Sequence, residues 1–262
     1  MLVRIESPDN NRIKLVRKLQ TKKHRDAENK FVIEGINLVS EAAARRVDID
    51  YVLVSDEFDG GAALQAMKAD EDLMVCEIPA DVFNKITDAE NGVGVLAVVN
   101  KKAWGAEDIA AIASDVNVLV LDRLQDPGNI GTMIRTAVAA GYGMVVTLKG
   151  TADVFSPKVL RSTAGMIFDI PVVYVDGAAE VKQLMKDSGR RFVVTAVEGG
   201  RPYYEENLSK EIALVIGNEG NGVSDEMLEL ADVKVTIPMR GDIESLNAAV
   251  SAAILMYEAV RQ

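Results

Sequence analysis

Ile216-Gly217-Asn218-Glu219-Gly220-Asn221-Gly222-Val223-Ser224 is the stretch on which the reading of this chain turns. The apolar run 213–217 leads into it and reads as a buried strand, after which three glycines fall within six residues. Glycine lets a backbone approach a ligand closely. The spacing is G-x-x-G-x-G, which matches neither the dinucleotide fingerprint nor a Walker A loop. Taken alone, the segment is equally an ordinary turn with Ser224 capping the next helix.

Working outward, a second apolar run at 233–238 enters Ile237-Pro238-Met239-Arg240-Gly241-Asp242-Ile243-Glu244-Ser245-Leu246-Asn247-Ala248-Ala249-Val250. A strand ends at a Pro, crosses a short polar loop and joins an Ala-rich helix over about 245–260, with Ser245 as its expected N-cap. Upstream lies Asp126-Pro127-Gly128-Asn129-Ile130-Gly131-Thr132-Met133-Ile134-Arg135-Thr136-Ala137. The strand 116–121 ends shortly before this Pro-Gly turn, and a helix begins near Asn129. With Asn129 near the N-cap, Arg135 falls six residues on, under two turns along the helix. By itself that is a capped helix with an exposed Arg.

These segments sit in a series of strands over 116–121, 143–148, 172–175, 192–197, 213–217 and 233–238, with helices in most intervals. The first half alternates too. Residues 8–22 read as a helix, with Pro8 in its first turn and Ile13, Val16 and Leu19 at helical spacing. Strands follow at 31–33, 51–54, 73–78 and 94–99, and helices pass through Leu38 to Ala43, 62–68 and 81–86. The chain is therefore read as α/β in two parts: a small α/β domain at 1–100, a linker with a helical turn at 101–115, and a larger parallel-sheet domain at 116–262.

Composition narrows the class. No apolar run approaches the roughly 20 residues of a membrane span, and the N-terminus lacks the apolar region of a signal peptide. One cysteine, Cys76, makes no internal disulfide, and one histidine, His24, leaves little for a zinc site. A reducing, cytoplasmic setting without a metal follows. The net charge of -11 argues against a nucleic-acid partner until it is divided. Residues 1–46 hold 11 Lys or Arg against 6 Asp or Glu, a balance of +5, which leaves -16 on the rest. Arg12, Lys14, Arg17, Lys18, Lys22, Lys23, Arg25 and Lys30 cluster, opposed only by Asp26 and Glu28. The cluster is either an RNA-binding face or a solvated helix surface.

In order and spacing, the segments at 129–135, 216–222 and 237–247 resemble the signature motifs of the SpoU/TrmH family of RNA ribose methyltransferases, within the SPOUT superfamily. Ser156-Pro157-Lys158-Val159-Leu160-Arg161-Ser162-Thr163-Ala164-Gly165 is similar to the family's stretch between the first two motifs. Phe31-Val32-Ile33-Glu34-Gly35 looks like part of the substrate-binding domain that many members carry. One departure is small: after Ser245-Leu246-Asn247, where many members have V-S-V or V-A-V, this chain reads Ala248-Ala249-Val250.

The resemblance implies a C-terminal domain with a deep trefoil knot, which no rule of sequence reading would propose. It implies S-adenosylmethionine as methyl donor, bound by backbone groups at Gly217, Ile237 and Leu246 with Thr195, Ala196 and Met239 as neighbours. Arg135, Asn129, Glu219, Ser245 and Asn247 form the implied catalytic set. Arg12, Lys14, Lys18, Lys22, Lys23, Arg25 and Arg161 are the candidate RNA contacts. A homodimer with its active site near the subunit interface is also carried over. The implied substrate is ribosomal RNA first and transfer RNA second. A catalytically silent RNA-binding module and a small-molecule Rossmann enzyme are the competing classes.

Overall fold

The computed structural model describes residues 2–87, 94–112, 114–241 and 243–262. Its elements fall into two compact units by contact: Met1–Ala103 with Phe155–Phe168, and Trp104–Val154 with Asp169–Gln262.

The first unit runs β1 (Leu2–Arg4), α1 (Asn11–Leu19), α2 (Lys22–Glu28), β2 (Lys30–Glu34), α3 (Ile36–Ala44), β3 (Ile49–Ser55), α4 (Gly61–Ala69), β4 (Val75–Ile78), α5 (Ala80–Phe83) and β5 (Val95–Asn100). The strands form one sheet in the order β1-β4-β3-β5-β2, with β5 antiparallel to both of its neighbours. Ile13, Val16 and Leu19, spaced to one face of α1, bury completely against Leu53, Cys76, Ile78, Leu96 and Val98 of this sheet. The helix expected over 8–22 is two helices. Pro8 lies in a turn ahead of α1, and the Asn10 side chain caps the helix by accepting from the Arg12 N–H at 2.9 Å. The chain bends at Gln20–Thr21, and Asn29 in the left-handed region (φ 51°) ends α2. Strand β1 was not legible, being an exposed edge of three residues with no apolar alternation.

The second unit holds α6 (Ala106–Ala111), β6 (Val118–Asp122), α7 (Pro127–Ala139) and β7 (Met144–Leu148). After α8 (Pro157–Ser162), which belongs to the first unit, it resumes with β8 (Val172–Val175), α9 (Ala178–Asp187), β9 (Arg191–Thr195) and β10 (Arg201–Pro202). It ends with β11 (Ile212–Gly217), α10 (Asp225–Glu229), β12 (Val233–Thr236) and α11 (Ala248–Arg261). Seven strands form a wholly parallel sheet in the order β10-β12-β9-β11-β6-β7-β8. Near-continuous burial of β6, β7 and β11 is what a parallel sheet covered on both faces requires. On one face α6, α9 and α10 add Ile109, Val181, Met185 and Met227 to a core with Val118, Val120 and Val146. Helices α7 and α11 pack on each other.

The contacts divide the chain differently from its sequence rhythm. Residues 155–168 lie between two strands of the second sheet yet pack with the first unit, α8 lying against β2. Phe155 stacks 4.9 Å from Phe31, and Lys101 Nζ lies 4.7 Å over the Phe155 ring. The expected linker at 101–115 includes α6, whose Ile109 is part of the second unit's core, while residue 113 lies outside the described residues. Among the described residues, no helix is long and apolar enough to cross a membrane.

Candidate active site

A parallel sheet presents its loops, and commonly its ligand, at the carboxyl ends of the strands. Here β9, β11 and β12 end around a cleft of about 560 Å³. Thr195, Ala196, Gly217, Ile237, Met239 and Leu246, the six expected cofactor contacts, all line it, as do Glu219 and Ser245. The volume suits a nucleoside-sized ligand.

Gly217 is needed for a reason other than the one the sequence suggests. A Cβ there would lie 2.2 Å from Val223 N and 2.3 Å from the Gly222 carbonyl carbon, so the chain's own backbone fills the space rather than a ligand. That backbone is the returning limb of a closed loop. Asn218 and Gly222 exchange N–H to carbonyl bonds of 2.9 Å each, and Gly222 takes φ 68°. Inside the loop Asn218 Oδ1 accepts from the Gly220 and Asn221 N–H groups, while its Nδ2 donates to the Arg123 carbonyl. The buried Asp122 carboxylate accepts the Ser224 N–H at 2.7 Å, so Ser224 occupies the N-cap position of α10 without bonding through its own side chain.

Both other helix starts are also set differently from the expectation. Helix α7 begins at Pro127, two residues before Asn129. Asp126 is its N-cap, accepting the Asn129 N–H at 2.8 Å, and Pro127 takes the first turn. Arg135 therefore stands nine residues past the cap, about two and a half turns along α7 rather than under two. Asn247, not Ser245, caps α11. Its Oδ1 accepts from Ala249 and Val250 N–H at 2.9 and 3.2 Å, leaving Ser245 exposed in the loop.

Hydrogen bonds gather three of the five expected catalytic residues, Glu219, Asn129 and Asn247, around one point. Glu219 Oε2 accepts from Gln125 N–H at 3.0 Å, and Oε1 accepts from Asp126 N–H at 3.0 Å and Asn129 Nδ2 at 3.1 Å. Asn129 Oδ1 in turn accepts from Asn247 Nδ2 at 2.9 Å. Burial opposes the Glu219 charge, but the bonds from Gln125, Asn129 and Asp126 outweigh it and hold the carboxyl below its ordinary value. Ser245 reaches the cluster only through the shared cleft. Arg135 is exposed, and its side chain makes no hydrogen bond or ion pair with any of the described residues. Gln125, Asp126, Asn218 and Asp122 were missed. Only Asp126, as an Asp directly before Pro, carried a local signal.

The SpoU rRNA Methylase family matches residues 117–257, and the MRM3-like substrate binding domain matches residues 10–97. The chain is 40% identical to the 23S rRNA (guanosine(2553)-2'-O)-methyltransferase RlmP of Bacillus subtilis, covering 97% of each. Two solved relatives carry the cofactor. AviRb, a SpoU methyltransferase from Streptomyces viridochromogenes in complex with AdoMet, is 29% identical with TM-score 0.88, over 97% of this chain and 98% of that one. An AdoMet-bound rRNA methyltransferase from Sinorhizobium meliloti is 29% identical with TM-score 0.85, over 99% and 98%. The chain belongs to the SpoU family of rRNA methylases.

A SpoU methylase is an RNA 2′-O-methyltransferase that takes its methyl group from S-adenosylmethionine, and the cleft fits that group. Ile216, Leu228, Ile237 and Leu246 in its lining are apolar, as an adenine ring requires, and Glu198, Asp225 and Glu244 are acidic, which suits a cationic ligand. The substrate-binding domain carries the basic cluster, and the structure sorts it. Lys18, Lys22 and Lys23 are exposed, as is Arg17. Lys14 is exposed and pairs with Asp9 at 3.2 Å. Arg12 is half-buried, its guanidinium 5.6 Å from the Tyr51 ring centre. Arg25 is turned inward at 5% exposure and donates to the Leu19 carbonyl at 2.6 Å, so it holds the α1–α2 bend rather than facing solvent. Arg161 lies 3.8 Å from the buried Glu34 carboxylate.

Proposed function

We propose that this SpoU methylase methylates a ribose 2′-hydroxyl of 23S ribosomal RNA, the substrate named for the B. subtilis relative that matches it over 97% of its length. The observation that carries the reading is the convergence of residues 125–129, 219 and 247 beside the cleft that the expected cofactor residues line.

S-adenosylmethionine, when bound, supplies a methyl group on a sulfonium, ready for direct displacement. The protein's task is to hold the 2′-oxygen in line and to manage its proton. Much of the acceleration then comes from positioning. Arg135 is the residue free to meet RNA. Its guanidinium stays charged in a protein, so it acts best as a clamp on an RNA phosphate and as a stabiliser of the forming alkoxide. Asn129 and Asn247 spend their side chains on one another and on Glu219 and the α11 N-terminus, which makes them holders of the site rather than proton carriers. Ser245, exposed on the cleft wall, is a contact for the nucleotide or the cofactor.

Lys18, Lys22 and Lys23 supply RNA affinity, with Lys14 and Arg17 beside them on α1. A homodimer is supported by the exposed apolar stripe of Val250, Tyr257 and Val260 along α11, the helix packed on the one bearing Arg135. The knotted crossing fits the insertion of β12 between β9 and β10 after β11 has taken the other side of β9. A cytoplasmic setting fits an rRNA substrate and the buried free thiol of Cys76. The test is methylation of 23S rRNA, 16S rRNA and total tRNA by the full chain, with the 2′-O-methyl site mapped. A single mapped ribose in 23S rRNA is expected. Methylation confined to tRNA would overturn the assignment.

A further inference from the structure

We propose that Glu219 is a positioning residue that must be a carboxylate, because it locks the Asn129 and Asn247 amides in one orientation and anchors the start of the helix bearing Arg135. The inference rests on the methyltransferase reading above and concerns how its site is held.

Gln125 and Asp126 lie in the turn entering α7, where backbone N–H groups lack helical partners. Both point at Glu219, one at each oxygen, and Asn129 Nδ2 adds a third donor. A carboxylate has only acceptors, so Asn129 must present its NH2 to Glu219 and its oxygen elsewhere. That oxygen takes the Asn247 NH2 at 2.9 Å, which obliges Asn247 to turn its own oxygen toward the Ala249 and Val250 N–H groups. The chain runs from a pure acceptor at one end to pure donors at the other, so neither amide can flip without setting donor against donor or oxygen against oxygen. It joins the β11–α10 loop, α7 and α11, segments 90 and 118 residues apart in sequence. Glu219 also lines the cofactor cleft, so the same carboxylate ties the cleft wall to the helix of Arg135.

A glutamine cannot replace it. Its NH2 would face the Gln125 N–H, or else the Asp126 N–H and Asn129 NH2. Three donors also weaken Glu219 as a proton acceptor, which sets it apart from a general base. A competing role is electrostatic, as a counter-charge to the cationic cofactor, and this would show in cofactor affinity.

The test uses the full chain with Glu219→Gln, Asn129→Ala and the double variant, read by two measurements. In single-turnover methylation with saturating RNA and S-adenosylmethionine, each single variant should lose at least tenfold in rate while the cofactor Kd stays within about threefold. The double variant should be no slower than the slower single one, because both break one chain. In amide hydrogen exchange without RNA, Glu219→Gln should deprotect residues 124–130 and the first turn of α11, with the rest of the chain unchanged. Weaker cofactor binding with an unchanged rate at saturation would overturn the proposal in favour of the electrostatic role. So would multiplied losses in the double variant, or unchanged exchange at 124–130. A wild-type chain that methylates no RNA would sink the functional reading, and the exchange experiment would still decide the role of Glu219.

Discussion

Adding one methyl group at Gly217 sets a Cβ 2.2 Å from Val223 N, 2.3 Å from Gly222 C and 2.5 Å from the Gly222 carbonyl oxygen. All three are backbone atoms, so no side chain can rotate away and the loop itself must open by ~1 Å or more to restore carbon contacts of normal length. Opening it breaks the paired Asn218–Gly222 hydrogen bonds, each 2.9 Å. Two net hydrogen bonds at about 1 kcal/mol each, with overpacking strain of about 1–3 kcal/mol, give a loss of about 3–5 kcal/mol for Gly217→Ala. At about 2–4 °C per kcal/mol for a chain of this size, the melting temperature should fall by roughly 6–20 °C if the unit melts as one. The loop is also a cleft wall, so S-adenosylmethionine affinity should fall at least tenfold. Differential scanning calorimetry and isothermal titration on the same preparation measure both effects. Gly220→Ala is the control. Its added Cβ meets only Asn218 Oδ1, at 3.7 Å, and stability should hold within about 0.5 kcal/mol. A Gly217→Ala protein with a melting temperature within 2 °C of wild type and unchanged affinity would refute the steric argument.

Arg135→Ala should slow single-turnover methylation on the order of a hundredfold or more with cofactor affinity intact, and Arg135→Lys should keep part of the rate if the role is a clamp. Reversing Lys18, Lys22 and Lys23 to Glu should raise the KM for RNA and reduce the salt slope of binding by about 2–3, at roughly 0.7–0.9 per lost phosphate contact. Arg25→Met should instead lower stability by about 1–3 kcal/mol, because the Leu19 carbonyl loses its buried donor, with little change in the salt slope. For pH, Glu219 is held below its ordinary value in the folded state, so its contribution is present at neutral pH and lost as pH falls through that lowered value. The melting-temperature gap between wild type and Glu219→Ala should therefore be widest near neutrality and close in acid; a constant gap would contradict it.

The sequence by itself determined the family, the α/β class and most element positions, because apolar periodicity and the three motifs are local properties of the chain. The strands expected at 172–175, 213–217 and 143–148 lie within one residue of β8, β11 and β7. All six expected cofactor positions line one cleft, because the motif spacing preserves which loop each occupies. Tertiary structure decided what depends on partners distant along the chain. Ser245 and Asn129 looked like caps as well as Asn247 and Asp126 did, since each is a short polar residue ahead of a helix. The caps fell to Asp126 and Asn247, which stand two or three residues ahead of the free N–H groups they accept, once packing had set where each helix begins. Arg25 reads as one more cation in a basic run, yet the bend between α1 and α2 turns it onto the Leu19 carbonyl. Phe155 and α8 follow the rhythm of the second sheet but bury against β2, where Phe31 offers an aromatic face. The bonds joining Glu219, Asn129 and Asn247 span 90 and 118 residues, and no local pattern encodes a contact of that reach. Periodicity records which face of an element is apolar. Only the packed sheet records what that face, or a polar group at its end, will meet.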